Sequence, residues 1–215
     1  MKTLKTIVVI LVVIGFNACK KEKDTSTIPA ADLLDYQLVV TLLNQGSSSL
    51  GVIYFSQTGT EVMATMESID QMHSQTVKLK NDTFRFDQNG DGKITYDFEL
   101  VKNADGSLSV KSFTYRNAID QTLKVERHYL TKVGALLPIK NMVYDGGSYM
   151  LKFSNTTWTY VPRYNSEGTF TEFSKGAWKG RLGDKAYMGV LIREEGKLYM
   201  LFQTADEGFV RFHVV

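Results

Sequence analysis

Residues 84–100 read FRFDQNGDGKITYDFEL, and within them Asp87, Asn89 and Asp91 stand at alternate positions ahead of Gly92. Carboxylate and carboxamide oxygens at that spacing, on a chain that glycine lets turn sharply, suit a hard cation such as calcium. The same residues also suit a tight β-turn, because Asn-Gly and Asp-Gly pairs supply the positive φ angles of a hairpin loop. A second group is aromatic. TTWTYVPRY sets Trp158, Tyr160 and Tyr164 at even spacing beside Thr157 and Arg163, and GAWKG sets Trp178 between glycines. Flat aromatic surfaces stack on sugar rings or line an apolar pocket. They also make ordinary core, since Trp and Tyr favour strands. Catalytic patterns are missing. His73, His128 and His213 are the only imidazoles, and none has the spacing H-x-x-x-H or H-E-x-x-H. No G-x-S-x-G elbow, phosphate loop or dinucleotide fingerprint is present. Glu194-Glu195 reads as a hairpin tip and not as an acid/base pair.

An EF-hand needs a bidentate Glu at its twelfth position and a helix on each side. Here that position is Phe98 and both flanks alternate as strands do, which excludes it. The stretch more closely resembles the strand-loop-strand calcium loops of integrin-type propeller repeats, written D-x-N-G-D-G-x-x-D. The resemblance implies calcium held by Asp87, Asn89 and Asp91. Thr95 occupies the final acidic position, so Asp97, on the same strand face, is the acid left to stand in. With that ligand replaced and one copy present, the residues favour the turn over the metal, and no cofactor is expected.

At the start of the chain, Lys2 and Lys5 precede an apolar run from Ile7 to Ile14, followed by Gly15-Phe16-Asn17-Ala18-Cys19. A charged start, a short apolar run and a small residue before a cut define a secretory signal peptide. The run is well below the roughly 18 apolar residues that span a bilayer. Phe16-Asn17-Ala18-Cys19 resembles the lipobox of bacterial lipoproteins. The resemblance implies that residues 1–18 leave as signal, that Cys19 is acylated (palmitate among its lipids), and that the protein is anchored in the cell envelope. Lys20, a residue other than Asp after the cysteine, implies the outer membrane. Cys19 is the only cysteine, so the folded part has no disulfide, thiolate metal site or cysteine nucleophile. Without Lys2 and Lys5 the 23 acidic side chains are balanced by as many basic ones. That balance argues against nucleic acid as a partner, because phosphate binding needs a basic excess.

Residues 19–30 read as the lipidated cysteine and a flexible tether, charged at first and broken by Pro29. Residues 31–215 read as a single all-β domain. TFRFD and KITYDFEL alternate cleanly, the latter placing Ile94, Tyr96, Phe98 and Leu100 on one face. In SLSVKSFTY the apolar parity slips near Ser112, which predicts a bulge or a strand end. Short connections such as Asn103–Gly106, Asp145–Gly147 and Glu194–Gly196 favour antiparallel hairpins. PAADLLDYQLVVTLLNQG is read as mostly strand, and EVMATMESIDQM stays open between helix and strand. GVIYFSQTGT, SYMLKFSNTT and LYMLFQTADE echo one another unevenly, read as one recurring hairpin in a single meander.

Gly176-x-Trp178 resembles the Gly-x-Trp motif of lipocalins, although in that family the motif opens the first strand. The resemblance implies an antiparallel barrel with room for one small ligand. The fold expected is therefore all-β, an antiparallel barrel or a β-sandwich with at most one or two short helices. The function expected is non-catalytic binding of a small apolar or carbohydrate ligand, with Trp158, Tyr160, Tyr164, Trp178 and Arg163 as candidate contacts. Two other readings stay open: an assembly lipoprotein presenting a sheet face or edge to an envelope protein, and a hydrolase built from distant residues. Cys19→Ser is expected to leave the membrane fraction and to stop incorporating labelled palmitate, as read by fractionation and autoradiography.

Overall fold

The computed structural model of the chain describes residues 27–44, 47–69, 75–122, 124–136, 138–161, 167–204 and 208–214. The signal segment, Cys19 and the tether as far as residue 26 lie outside them. A short helix, α1 (Ala30–Leu34), opens the fold. Eight strands follow: β1 (Tyr36–Asn44), β2 (Ser47–Thr58), β3 (Glu61–Ser68), β4 (Gln75–Lys78), β5 (Thr83–Asp87), β6 (Ile94–Lys102), β7 (Leu108–Asn117) and β8 (Lys124–Lys132). A 3-10 turn at Val133–Ala135 leads to eight more. These are β9 (Val143–Asp145), β10 (Met150–Phe153), β11 (Thr157–Val161), β12 (Gly168–Ser174), β13 (Ala177–Leu182), β14 (Lys185–Glu194), β15 (Lys197–Thr204) and β16 (Gly208–Val214). The all-β class expected from alternation is what forms. Among the described residues no helix is long and apolar enough to cross a bilayer.

Each set of eight strands is an antiparallel meander whose last strand returns to its first. β9 to β16 close completely into a barrel, with β16 paired to β9. β1 to β8 form a looser ring. β8 pairs with β1, and the five-stranded sheet β4-β3-β2-β1-β8 faces the three-stranded sheet β5-β6-β7. Barrel and sandwich, alternatives in the sequence, thus both occur. Where the sequence reading took 31–215 as a single domain built on one meander, the strands divide between two rings that share a layer. GVIYFSQTGT covers the last eight residues of β2 and SYMLKFSNTT contains β10, the second strands of the two rings, each with its following turn.

The segments left open resolve through pairing. After α1, the run YQLVVTLLN is a strand because β2 and β8 take up its backbone on both sides. EVMATMES is likewise a strand, β3, held between β2 and β4 despite the helical spacing of its methionines. The parity slip near Ser112 is a bulge: Glu99 pairs with Ser112 and Leu100 with Val110, so Lys111 has no partner across the ladder. β4 and β5 meet through a two-residue turn in which Asn81 and Asp82 have φ of 49° and 61°. The Asp82 carboxylate accepts hydrogen bonds from the Thr27 hydroxyl, from the Thr27 N–H at 3.0 Å and from the Ile28 N–H at 3.2 Å. Ile28 is buried in the same core as Leu33. The end of the expected tether is therefore docked, not free, because an apolar side chain and two backbone donors find partners there.

The rings touch through their outer surfaces. Val39, Leu50 and Val52 of β1 and β2 pack against Ala177, Met188, Val190, Ile192 and Leu201 of β13, β14 and β15. Two buried amides join the faces. Gln37 Nε2 donates to the Leu191 carbonyl at 3.1 Å, and Gln203 Oε1 accepts from the Leu50 N–H at 2.8 Å. β3 ends its pairing with β2 at Gly51, so the Gln203 oxygen takes a donor that the ladder leaves over.

Inside the barrel, each indole lies opposite a glycine on the neighbouring strand: Trp158 opposite Gly168, and Trp178 opposite Gly189. Gly180 completes the set. A Cβ there would fall 2.7 Å from Trp158 Nε1 and 2.8 Å from the Thr169 carbonyl oxygen. Gly180→Ala is therefore expected to destabilise by about 1–3 kcal/mol through overpacking. Gly51→Ala, whose Cβ would meet only the Val40 carbonyl oxygen at 4.0 Å, is expected to stabilise by about 0.5–1 kcal/mol through lost chain entropy. Chemical denaturation of the two variants checks the contrast.

Candidate functional site

The looser ring is hollow at one end. Across its five-stranded sheet, inward positions pair in rows, and the row Leu38, Ile53, Met66 is large throughout. The next row is Val40, Gly51, Ser68, and beyond it Leu42 pairs with Ser49. Small side chains there leave space, and the facing sheet supplies Ile94 and Tyr96 of β6 with Tyr115 and Asn117 of β7. The result is a cavity of about 270 Å³, with Gln88 from the β5–β6 loop at its edge. Leu42 lies near the end of β1 and Ser49 near the start of β2, while Ser68 ends β3 and Asn117 ends β7. The cavity therefore sits at the ring end that carries the odd-to-even connections, opposite the docked chain start.

Its polar groups form a short chain. The ring centroids of Tyr96 and Tyr115 are 4.8 Å apart with planes tilted at 47°. The Tyr115 oxygen accepts from Asn117 Nδ2 at 2.9 Å. Asn117 Oδ1 in turn accepts the Ile119 and Asp120 N–H groups at 2.9 and 2.8 Å. That fixes which end of the amide faces Tyr115. Burial raises the pKa of both tyrosines, so both are neutral phenols at physiological pH. The sequence placed Tyr96 on the inward face but gave no sign of a cavity. The signal available was the run Ser47-Ser-Ser49-Leu50-Gly51, small residues on a strand otherwise rich in large ones.

The acidic loop lies beside this cavity and is organised as a turn. Gly90 and Gly92 have φ of +71° and +70°, as the hairpin reading requires. Asp87 Oδ2 accepts the Gly92 N–H at 2.9 Å, closing the loop on its own first residue. Asp91 faces Lys93, whose backbone N–H it accepts at 3.0 Å and whose ammonium lies 2.9 Å away. Lys93 accordingly holds the Asp91 carboxyl below the usual carboxylate range. Asp97 points to the sheet surface, 3.7 Å from the Arg85 guanidinium. Asn89 is exposed. Asp87 Oδ2 and Asp91 thus bond within the loop, Asp97 faces Arg85, and Asp87 Oδ1 is buried without a protein hydrogen bond; among the described residues no three His, Cys, Asp or Glu side chains are grouped as a metal site.

The aromatic candidates are placed elsewhere. Trp158, Tyr160 and Trp178 are inside the closed barrel, each no more than 1% exposed. Trp158 lies 5.1 Å from Trp178 and 4.7 Å from Tyr187, while Phe202 stacks on Trp178 at 5.9 Å. The rings pack on one another inside the barrel, so these three candidate ligand contacts are buried core, with the Trp178 Nε1 lacking a hydrogen-bond partner there. Tyr164 and Arg163 lie outside the described residues, as does His73. His128 is exposed on β8, edge-on to Phe113 at 5.9 Å, and His213 packs on Tyr199 at 5.1 Å. Gly176-x-Trp178 opens β13, the fifth strand of its barrel, instead of a first strand.

No family model, curated protein or solved structure matches the chain. Gly92→Ala should destabilise by about 1 kcal/mol or more, because alanine is strained at positive φ. Asp91→Ala, which removes a solvent-exposed pairing, should change stability little. Exchange of chelator for millimolar calcium should leave the melting temperature of the wild-type chain where it was. Scanning calorimetry reads all three.

Proposed function

We propose that this protein is a lipid-anchored component of the bacterial envelope that binds a small uncharged ligand, apolar or carbohydrate, without transforming it. The observation that carries the reading is the cavity of about 270 Å³ between the two sheets of the first ring. That volume is near the lower end of small-molecule sites, roughly 300–1,000 Å³. Its walls combine apolar side chains with a few converging polar groups, the usual composition of such sites. None of its lining residues is Asp, Glu, His, Lys or Arg. A lining with only phenols, hydroxyls and amides offers no ordinary acid or base, which favours binding over hydrolysis. The anchor, the outer membrane as destination and the membrane as partner rest on Cys19 and its surroundings in the sequence.

One further observation favours an assembly role. β7 and β8 are neighbours in the ring without forming a ladder, so each presents an unpaired edge. Such edges accept an added strand from a partner. Ile119, in the connection between them, is 66% exposed.

Gly51→Ile separates the two readings. The strand position accepts a β-branched residue, and the side chain would occupy the cavity. The variant should fold with a higher melting temperature than the wild type. Compounds from a panel of neutral sugars and fatty alcohols that raise the wild-type melting temperature should no longer do so. Equal shifts in both proteins would remove the cavity from the reading. Binding of a strand at β7 or β8, by contrast, should survive the substitution.

A further inference from the structure

Resting on that reading of the cavity, we infer that its ligand is a neutral oligosaccharide, with the end sugar in the cavity and the following sugars in the groove between β7 and β8. The groove, of about 450 Å³, is lined by Phe113, Thr114, Gln121 and Lys124 and shares Tyr115 and Asn117 with the cavity. Cavity and groove therefore adjoin at these two side chains. The groove exists because β7 and β8 diverge without pairing.

Three features select the chemistry. Charge is the first. The cavity holds no ionised side chain, so a carboxylate or ammonium entering it would lose its hydration without gaining a counter-charge. Hydrogen bonding is the second. The Tyr115 oxygen accepts from Asn117 Nδ2, and its hydroxyl also carries a hydrogen to donate. Ser49, Ser68 and Gln88 add three polar ends that have no protein hydrogen bond among the described residues. An alkyl chain would bury these groups unpaired, a cost that a ring bearing several hydroxyls avoids. Shape is the third. The tilted pair of Tyr96 and Tyr115 offers aromatic surface to the apolar face of a sugar ring. In the groove, Phe113 continues that surface, while Thr114 and Gln121 continue the polar one.

The test is calorimetric titration of the purified chain with neutral gluco-, manno- and xylo-oligosaccharides of one to six sugars. Galacturonate and chitosan oligomers serve as anionic and cationic counterparts, and dodecanol serves as the apolar probe. At least one neutral series should bind, with affinity rising about tenfold from one sugar to three as groove contacts are added. Asn117→Ala should weaken every length, whereas Gln121→Ala should remove only the gain with length. Thermal melts of both variants report whether they fold. Binding of a charged series as tight as that of any neutral one overturns the inference, as does affinity that is flat with length, or no neutral series binding at all. Dodecanol binding that Gly51→Ile abolishes would keep the cavity as the site and reject the sugar. A chain that binds none of the probes rejects both.

Discussion

The layer between the two rings is the constraint on which the rest depends. β1, β2 and β14 are covered on both faces, inward by their own ring and outward by the other. An antiparallel sheet ordinarily keeps one face in water and alternates accordingly. Here the alternation is lost, and the runs LVVTLL and MGVLI are apolar at nearly every position. Each buried aliphatic side chain contributes about 1.5–3 kcal/mol, so neither ring could lose its neighbour without exposing a row of them. Gln37 and Gln203 then give the contact a register: each amide meets a backbone group on the other ring, and a shifted interface would break both of these bonds.

This doubly covered layer also accounts for what could and could not be read from residues alone. β5 alternates buried and exposed positions, and β6 keeps its large apolar side chains on one face, so their alternation, and the bulge at Lys111, were legible. YQLVVTLL was ambiguous between helix and strand because burial on both sides erases the period that distinguishes them. The division into two rings was invisible for the same reason, since no polar linker separates them. Among site residues, the acidic loop was legible as a turn because glycine and Asx chemistry is local. The cavity was not, because Val40, Gly51 and Ser68 become a row only when three strands come into register. Trp158 and Trp178 drew attention as large aromatics, yet their meaning lay in the glycines across the ladder.

The two rings therefore use small residues in opposite ways. In the barrel, Gly168, Gly180 and Gly189 stand beneath the largest side chains, and the interior closes around two indoles. In the first ring, Gly51 and the serines stand opposite medium-sized residues, and space remains. One meander is filled and carries the shared layer; the other keeps a hollow end. A rigid neighbour of this kind holds β1 and β2 from outside while their inner faces stay only partly occupied. That arrangement lets the cavity persist where an isolated ring would relax into it.

The Asp82 clamp has a mechanical consequence. Thr27 and Ile28 are fastened to the tip of the β4–β5 hairpin, at the end of the ring away from the cavity. Tension on the chain upstream is taken up first by three hydrogen bonds to one carboxylate and by the seated Ile28 side chain. Those bonds load together, as rivets in a lap joint do, before any force reaches β1. A pull on the chain ahead of Thr27 is thus met at the end of the ring away from the strands around Gly51 and Asn117.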